Sequence, residues 1–302
     1  MVVPTRNRWA RIERTLRCAL GQRDVDHGVI VVDDGSTDAG ALTQLLARIA
    51  DDRLSGIRLP ASGGSAAARN AGLAVATGEW AAFLDDDDLW APTKLRGQLD
   101  VAAAGGASLV YSGVLNVDDD ARLIHAFPPP DAGDLAARLL TMNAIPAGAS
   151  NVMVRRSLMA EAGGFDTAFA HLADWDAWIR LAAAAPAAAD GGFPVAYVQH
   201  RGTRGGSDAA GVERDLELLK AKHAGRLTVD ERWFARWHAG ALLRAGSRRS
   251  AARLYATTAL RHRDPECLAR AAYAVLGPPR RPGRRARAPE WVATAAASPP
   301  LR

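Results

Sequence analysis

Short apolar runs alternate with segments of helical length over the first 115 residues of the chain. The apolar runs lie at 29–32, 80–84 and 108–114, and the segments of helical length lie at 37–49 and 65–76. Continuous apolar strands separated by helices are typical of a buried parallel sheet that helices cover on both faces. The pattern therefore predicts an α/β domain.

The pattern becomes mixed after residue 150. Strand-like runs at 151–154 and 194–199 flank two predicted helices at 157–162 and 174–183. Beyond about residue 211 the strand signal ends, and three or four helical segments are predicted.

These changes divide the chain into three predicted regions. Residues 1–224 form the α/β domain, and residues 225–277 form a helical C-terminal extension. Residues 278–302 contain six prolines and six arginines. Such a composition favours disorder, so we expect an unstructured tail.

Charge is unevenly distributed between these regions. The 302-residue chain has a formal net charge of +5. Residues 1–224 hold 22 Lys and Arg against 28 Asp and Glu, a net charge of −6, whereas residues 225–302 hold 16 against 5, a net charge of +11. The acidic domain and the basic C-terminal region therefore need separate explanations.

Several classes of protein are excluded. Cys18 and Cys267 are too few for a disulfide framework or a zinc site built from paired thiolates. No apolar stretch reaches the roughly 18 residues that span a bilayer. The N-terminus has no basic and apolar segments of a secretory signal, so we expect a cytoplasmic protein.

Four consecutive carboxylates, Asp85 to Asp88, directly follow the apolar run at 80–84. Like charges this close repel one another, so a folded protein retains them where a cation or solvent offsets the repulsion. Alternate side chains of an extended segment point the same way, which lets Asp85 and Asp87 face one site. A few hard oxygen ligands suit Mg²⁺ or Mn²⁺, which substrate phosphates and water then complete. The alternative is an exposed acidic turn, which the apolar residues on both sides disfavour.

A second strand also ends at carboxylates. Asp33, Asp34 and Gly35 follow the run at 29–32, where Asp34 is placed either to contact a ligand or to cap the next helix. In parallel sheets, ligands bind beyond the carboxyl ends of the strands. Neither the G-x-x-x-x-G-K-[ST] nor the G-x-G-x-x-G phosphate-binding motif occurs, despite the small residues at 62–68.

These segments together, in their order, resemble the family 2 glycosyltransferases, inverting enzymes with the GT-A fold. The matching segments extend over about residues 1–205 and are 3–7, 31–36, 68–72, 78–90, 164–166, 174–178 and His200. The resemblance implies a Rossmann-like, mostly parallel central sheet flanked by helices. It also implies a role in the biosynthesis of cell-envelope polysaccharide or another glycoconjugate.

The resemblance implies a nucleotide-sugar site made of Pro4, Thr5, Asn7, Asp34, Asp85 and Asp86. Within it, Asp34 contacts the edge of a uracil-type base and Asp85 lies near the ribose. Asp87 and His200 are the implied ligands of Mg²⁺ or Mn²⁺.

Asp174 is the implied catalytic base. The chain has Ala173 before it where family members often have Glu, and Val198 where they usually have a basic residue.

The chemistry of sugar transfer agrees with these roles. An acceptor hydroxyl is a weak nucleophile, so a carboxylate must accept its proton during attack. The departing nucleotide diphosphate develops negative charge, which a divalent cation stabilises. A base placed opposite the leaving group gives in-line displacement and inversion. The structural alternative for Asp174 is a helix N-terminal carboxylate, and for His200 a surface histidine.

The predicted partners are a nucleotide-diphosphate sugar and a saccharide, lipid-linked or other small acceptor. Two other functions are open: a sugar nucleotidyltransferase, and a non-catalytic relative that binds nucleotide sugars. The aromatic residues Trp233, Phe234 and Trp237, beside arginines, indicate either peripheral contact with the anionic inner face of a membrane or a helical cap on the catalytic domain. No base-reading motif is present, so nucleic acid is not an expected partner.

Overall fold

The structure is a computed structural model, which describes residues 1–200, 208–276 and 286–297. The fold begins with a three-stranded parallel sheet in the order β1 (Val2–Thr5), β2 (Val29–Asp33) and β3 (Leu54–Arg58). The helices between and after these strands are α1 (Trp9–Leu20), α2 (Ala41–Ile49) and α3 (Gly64–Val75). Thr5 is opposite Asp33 in the register of β1 with β2, so both strands end at the same edge.

A second sheet continues the first. Its strands are β4 (Trp80–Ala82), β5 (Leu89–Trp90), β6 (Leu109–Asp118), β7 (Leu123–Phe127), β8 (Met153–Arg155) and β9 (Ala187–Gln199). The order is β4-β8-β6-β9-β5, with β7 paired to β6. β6 and β9 run parallel, and the other pairs are antiparallel. A parallel bridge between Val2 and Phe83 joins the two sheets, so the chain after β4 lies beside β1.

The remaining helices cover the sheets or follow them. They are α4 (Lys94–Gly105), α5 (Leu135–Leu139), α6 (Arg156–Glu161), α7 (Ala173–Ala184), α8 (Ala209–Lys222), α9 (Glu231–Arg244), α10 (Arg248–His262), α11 (Pro265–Leu276) and α12 (Glu290–Ala297). A 3₁₀ turn at Gly148–Asn151 precedes β8.

Alternate side chains of the central strands enter two different cores. Val2 and Val32 belong to the first apolar cluster, together with Trp175 and Trp178 of α7. Their neighbours Val3 and Val31 belong to the second, on the other face of the sheet. This is the two-residue period of a strand buried on both faces, which explains why the strands are continuous apolar runs in the sequence.

The predicted elements are confirmed, with shifts of up to seven residues at their ends: β9 begins at Ala187, whereas the sequence predicts a strand from 194. The predicted helix at 37–49 begins at Ala41, and the one at 65–76 begins at Gly64. The division after residue 224 remains a proposal. Phe234 of α9 packs in the first cluster, whereas Leu242 of the same helix belongs to a third cluster shared with α10 and α11.

The prediction of a wholly unstructured tail is wrong for its described part. Residues 290–297 form α12, which contacts α1 and β5, and Val292 is fully buried in the second cluster. Pro289 stands just before the helix, where its fixed φ suits a helix start. The many prolines and arginines of residues 278–302 favoured a prediction of disorder, so the short apolar helix within them was not predicted. The rest of the predicted tail, 278–285 and 298–302, lies outside the described residues.

Candidate active site

The ends of β1, β2 and β4 bring the predicted residues to one edge of the sheet. The Asp34 N–H donates to the Thr5 carbonyl at 2.9 Å, and the Leu84 N–H donates to the Val2 carbonyl at 3.0 Å. These backbone contacts fix the acidic segments beside Thr5. A cavity of about 1230 Å³ opens at this edge. Seven predicted residues line it: Pro4, Thr5, Asp34, Asp85, Asp86, Asp87 and Asp174.

The Asp34 carboxylate organises the loop before α3. It accepts hydrogen bonds from Ser62 Oγ at 2.7 Å, Gly63 N at 2.7 Å and Gly64 N at 3.0 Å. Gly35 has φ +64°, and a Cβ there would lie 2.7 Å from Ser62 N, so this turn requires glycine. A carboxylate accepts about four hydrogen bonds, so Asp34 retains capacity for a ligand donor.

Arg8 holds the middle of the acidic run. Its Nη1 donates to Asp86 Oδ1 at 2.9 Å and to Asp87 Oδ2 at 3.1 Å. Thr5 Oγ1 donates to the other Asp86 oxygen at 2.7 Å. Burial raises the pKa of Asp86 to about 6, against the opposing effect of Arg8. No local sequence pattern indicates the Arg8 contacts, because they join positions 78 and 79 residues apart.

Asp85 and Asp88 have different roles although both belong to the run. Arg69 of α3 is buried and donates to Asp85 Oδ1 at 2.5 Å. Asp88 is fully buried and accepts from Ser150 Oγ at 2.7 Å and Val198 N at 3.1 Å. Asp88 therefore fixes the turn, while the first three carboxylates line the cavity.

His200 lies next to Asp87. Its Nε2 is 3.5 Å from Asp87 Oδ2, and both side chains are 5% exposed. Its Nδ1 is hydrogen-bonded to Asp119, which no sequence motif indicated. A carboxylate on one ring nitrogen orients the other, as at many metal-binding histidines. The interpretation of His200 as a surface histidine is wrong.

Asp174 is the second residue of α7. Its Oδ1 accepts from the Trp175 N–H at 2.8 Å, and Asn143 Nδ2 lies 3.4 Å from its Oδ2. Burial raises the pKa of Asp174, and the Arg69 charge partly offsets this effect. Its position combines a helix N-terminus, the structural alternative, with direct access to the cavity.

Asn7 is not among the described residues that line the cavity. It has φ +54°, and its Oδ1 accepts from Thr37 N at 2.9 Å and Thr37 Oγ1 at 3.1 Å. Its own N–H donates to Ser36 Oγ at 2.9 Å. Asn7 therefore joins the loop after β1 to the loop after β2 by hydrogen bonds. It supports the position of both loops without lining the cavity itself.

The C-terminal helices close another side of the cavity. Trp233 and Trp237 of α9 pack against the first core cluster, and Trp233 meets Trp175 edge to face at 5.5 Å. The structure thus supports a helical cap for these aromatics rather than a membrane-facing surface. Within the described ranges, no helix is both long and apolar enough to cross a bilayer.

Metal ligands are few at this edge. Across residues 1–200, 208–276 and 286–297, no group of three or more His, Cys, Asp or Glu side chains is arranged to hold a metal ion. Asp87 and His200 supply one hard oxygen and one nitrogen donor, and Asp87 Oδ2 lies 3.5 Å from His200 Nε2. The Asp87 carboxylate is the type of ligand that Mg²⁺ and Mn²⁺ take, since phosphates and water complete the shell of these ions when the protein supplies one or two carboxylates.

The sequence is similar to one protein family and to several curated proteins. The sequence model of glycosyl transferase family 2 matches residues 1–163. The succinoglycan biosynthesis protein ExoO of Rhizobium meliloti is 39% identical over 126 residues, 42% of this chain and 36% of that protein. The UDP-Glc:alpha-D-GlcNAc-diphosphoundecaprenol beta-1,3-glucosyltransferase WfgD of Escherichia coli is 26% identical over 181 residues, 60% of this chain and 68% of that protein. The chain spans about a third of the length of the first curated relatives it matches.

Solved structures show the same fold. S. aureus TarS 1-349 in complex with UDP-GlcNAc has a TM-score of 0.59 at 18% identity, covering 82% of this chain and 72% of that one. The mannosyltransferase PcManGT from Pyrobaculum calidifontis, in complex with GDP-Man and Mn²⁺, has a TM-score of 0.56 at 22% identity, with coverages of 91% and 84%. The predicted GT-A fold class with C-terminal helices is confirmed.

Proposed function

This chain belongs to glycosyl transferase family 2, and on that premise we propose that it transfers a sugar from a nucleotide-diphosphate sugar to an acceptor hydroxyl. One observation carries the proposal: Asp174 and the carboxylates Asp85 to Asp87 line the same cavity. Transfer needs a base for the acceptor and a separate site for the leaving diphosphate. We assign Asp174 to the first role and the carboxylates Asp85 to Asp87 to the second.

The donor nucleoside is proposed to bind at the ends of β1 and β2. Asp34 is placed to accept a ring N–H, and Asp85 to accept a ribose hydroxyl. Pro4 and Thr5 form the wall beside them. Asp86 is held by Thr5 and Arg8, so we assign it the shaping of this pocket, with Asn7 supporting the loops from outside.

The diphosphate is proposed to bind beside Asp87 and His200, the residues that would hold Mg²⁺ or Mn²⁺. When bound, such an ion acts as a Lewis acid toward the departing diphosphate. Asp119 fixes the ring of His200, and Arg8 places Asp87. Both groups are thereby oriented before a ligand arrives, which reduces the reorganisation needed at reaction.

Asp174 is the proposed base. In its ionised form it accepts the proton of the acceptor hydroxyl as that oxygen attacks the anomeric carbon. Its raised pKa makes it a stronger base than an ordinary carboxylate, while Arg69 keeps the charged form accessible. Attack from the side opposite the leaving diphosphate inverts the anomeric configuration.

A lipid-linked acceptor and a peripheral position at the inner face of the cell membrane are part of the proposal. The names of the relatives support it, since the E. coli protein acts on a diphosphoundecaprenol-linked sugar. The exposed side of α11 also supports it, because Leu268, Val275 and Leu276 are 60%, 67% and 84% exposed. Arg249 and Arg253 lie exposed on the adjacent α10. Apolar side chains beside basic ones suit an anionic lipid surface.

A donor panel tests the proposed function. Nucleotide release is measured with UDP-, GDP- and dTDP-sugars, with Mn²⁺ and with EDTA, and the product's anomeric configuration is determined by NMR. We expect metal-dependent release from one donor and an inverted product. Pyrophosphate release from a nucleoside triphosphate and a sugar 1-phosphate would instead identify a nucleotidyltransferase. Tight donor binding without release would identify a non-catalytic relative.

A further inference from the structure

The three helices α9, α10 and α11 supply one wall of the cavity. Their lining residues are Trp233, Arg236, Trp237, Gly240, Arg244, Tyr255 and Arg270. None of these seven is acidic, whereas the strand-end wall carries Asp34 and Asp85 to Asp87. The cavity volume of about 1230 Å³ exceeds the roughly 300–1,000 Å³ of a typical single-ligand pocket. The cavity therefore has room for a second substrate, on a wall of different chemistry.

Trp233 and Trp237 form an aromatic platform on this wall. Their rings are nearly parallel, with an interplanar angle of 14° and centroids 6.2 Å apart. Trp233 also contacts Trp175, the neighbour of the proposed base Asp174. A flat indole face packs well against the apolar C–H face of a pyranose, and its N–H remains a polar handle. The platform lines the same cavity as Asp174, the group proposed to take the proton of the acceptor.

Two arginines of this wall form ion pairs with a carboxylate that lies outside the cavity lining. Arg236 donates to Glu266 at 3.0 Å, and Arg270 pairs with the same Glu266 at 2.7 Å. Glu266 does not line the cavity, so it orients the two guanidinium groups. Arg244, and Arg138 from α5, add further positive charge to the lining. Guanidinium groups recognise phosphate oxygens through two parallel hydrogen bonds.

We propose that this wall is the acceptor site, and that the acceptor is a saccharide that carries a phosphate or diphosphate. Its sugar ring stacks on Trp233 and Trp237, and its phosphate groups pair with Arg244 and the neighbouring arginines. The inference rests on the proposed transfer function and adds to it the chemical class of the acceptor and the residues that bind it.

Direct binding tests the inference. The probes are three octyl derivatives of N-acetylglucosamine: a neutral glycoside, a phosphodiester and a diphosphodiester. Dissociation constants are measured by calorimetry on the full chain, with UDP and Mn²⁺ saturating so that the donor's diphosphate site is filled. The variants are Trp237→Leu, Arg244→Ala and, as a matched control, Arg226→Ala, an exposed arginine between α8 and α9 that lies outside the cavity lining.

We expect the diphosphodiester to bind at least about tenfold more tightly than the neutral glycoside. Arg244→Ala should weaken only the phosphorylated probes, by about tenfold to a hundredfold, and Trp237→Leu should weaken all three. Equal affinity for neutral and phosphorylated probes, no binding of any probe, or equal effects of Arg244→Ala and Arg226→Ala would overturn the inference. Binding through Arg244 in a chain that releases no nucleotide from any donor would contradict the transfer function alone.

Discussion

The backbone of Gly148 forms the wall directly behind the carboxylate of Asp174. A Cβ atom at position 148 would lie 2.5 Å from Asp174 Oδ2, and Gly148 has φ +52°. Two features therefore require glycine at position 148: the positive φ of the backbone and the lack of space for a side chain beside the proposed base.

Gly148→Ala is expected to displace the Asp174 carboxylate and to lower kcat by about a hundredfold, as misplacement by an ångström can do. Gly106→Ala is the matched control. Gly106 has φ +60°, and a Cβ there would meet no atom within 4 Å, so the substitution introduces similar backbone strain, about 1 kcal/mol, without touching the site. Comparable losses of Tm in both variants, with loss of kcat only at position 148, would agree with the account. Equal kcat in the two variants would contradict it.

Arg69→Met is expected to move the acidic limb of the pH profile of kcat/KM to higher pH. Burial raises the pKa of Asp174, and the Arg69 charge lowers it. Removing that charge makes ionisation harder, so the base becomes protonated at a higher pH and activity is lost earlier as the pH falls. The wild-type limb should itself lie above the ordinary range of an aspartate. An unchanged limb, or a shift to lower pH, would contradict the assignment.

Asp119→Asn is expected to raise the Mn²⁺ concentration that gives half-maximal nucleotide release by about tenfold to a hundredfold, because the variant loses the carboxylate that orients His200. The measurement is a Mn²⁺ titration of nucleotide release. Asp120→Asn, one residue further along the same exposed turn, is the control and should leave this concentration unchanged. The same Mn²⁺ requirement in both variants would show that His200 does not serve the ion.

Leu268→Asp with Leu276→Asp is expected to abolish co-sedimentation with vesicles rich in phosphatidylglycerol. Burial of each leucine contributes about 2 kcal/mol, and the substitution also adds negative charge. Val75→Asp, on α3, is the matched control, since Val75 is 55% exposed. Neutral phosphatidylcholine vesicles should bind the wild type less well. Equal sedimentation of the wild type, the double variant and Val75→Asp would contradict the proposed membrane contact. A change of oligomeric state of the double variant on gel filtration would indicate that a second copy of the chain covers this face.

Local sequence patterns were enough to predict the central fold. The strands at 29–33 and 80–82 are buried on both faces, so their apolar runs stand out, and each ends in carboxylates at the carboxyl edge of the sheet. The order of the motifs then indicated the fold family. This information is local in the chain, which is why the sequence alone reveals it.

The contacts that complete the site are long-range, and the sequence could not reveal them. Arg8 reaches Asp86 across 78 positions, and Asp119 reaches His200 across 81. Asp176, also in the first turn of α7, is fully buried, accepts from Lys222 at 3.0 Å and lies 2.9 Å from His223 Nε2. Asp174 and Asp176 share one helix; Asp174 lines the cavity, whereas Asp176 pairs with residues at the end of α8.

The central claim is that Asp174 is the base that activates the acceptor hydroxyl. Its most direct test is the single-turnover rate of sugar transfer in Asp174→Asn against the wild type, with donor binding measured in parallel. The side chain of Asn is nearly isosteric but does not take up a proton at neutral pH, so we expect a rate loss of about 10²- to 10⁴-fold with donor affinity retained. A wild-type transfer rate in Asp174→Asn would contradict the account.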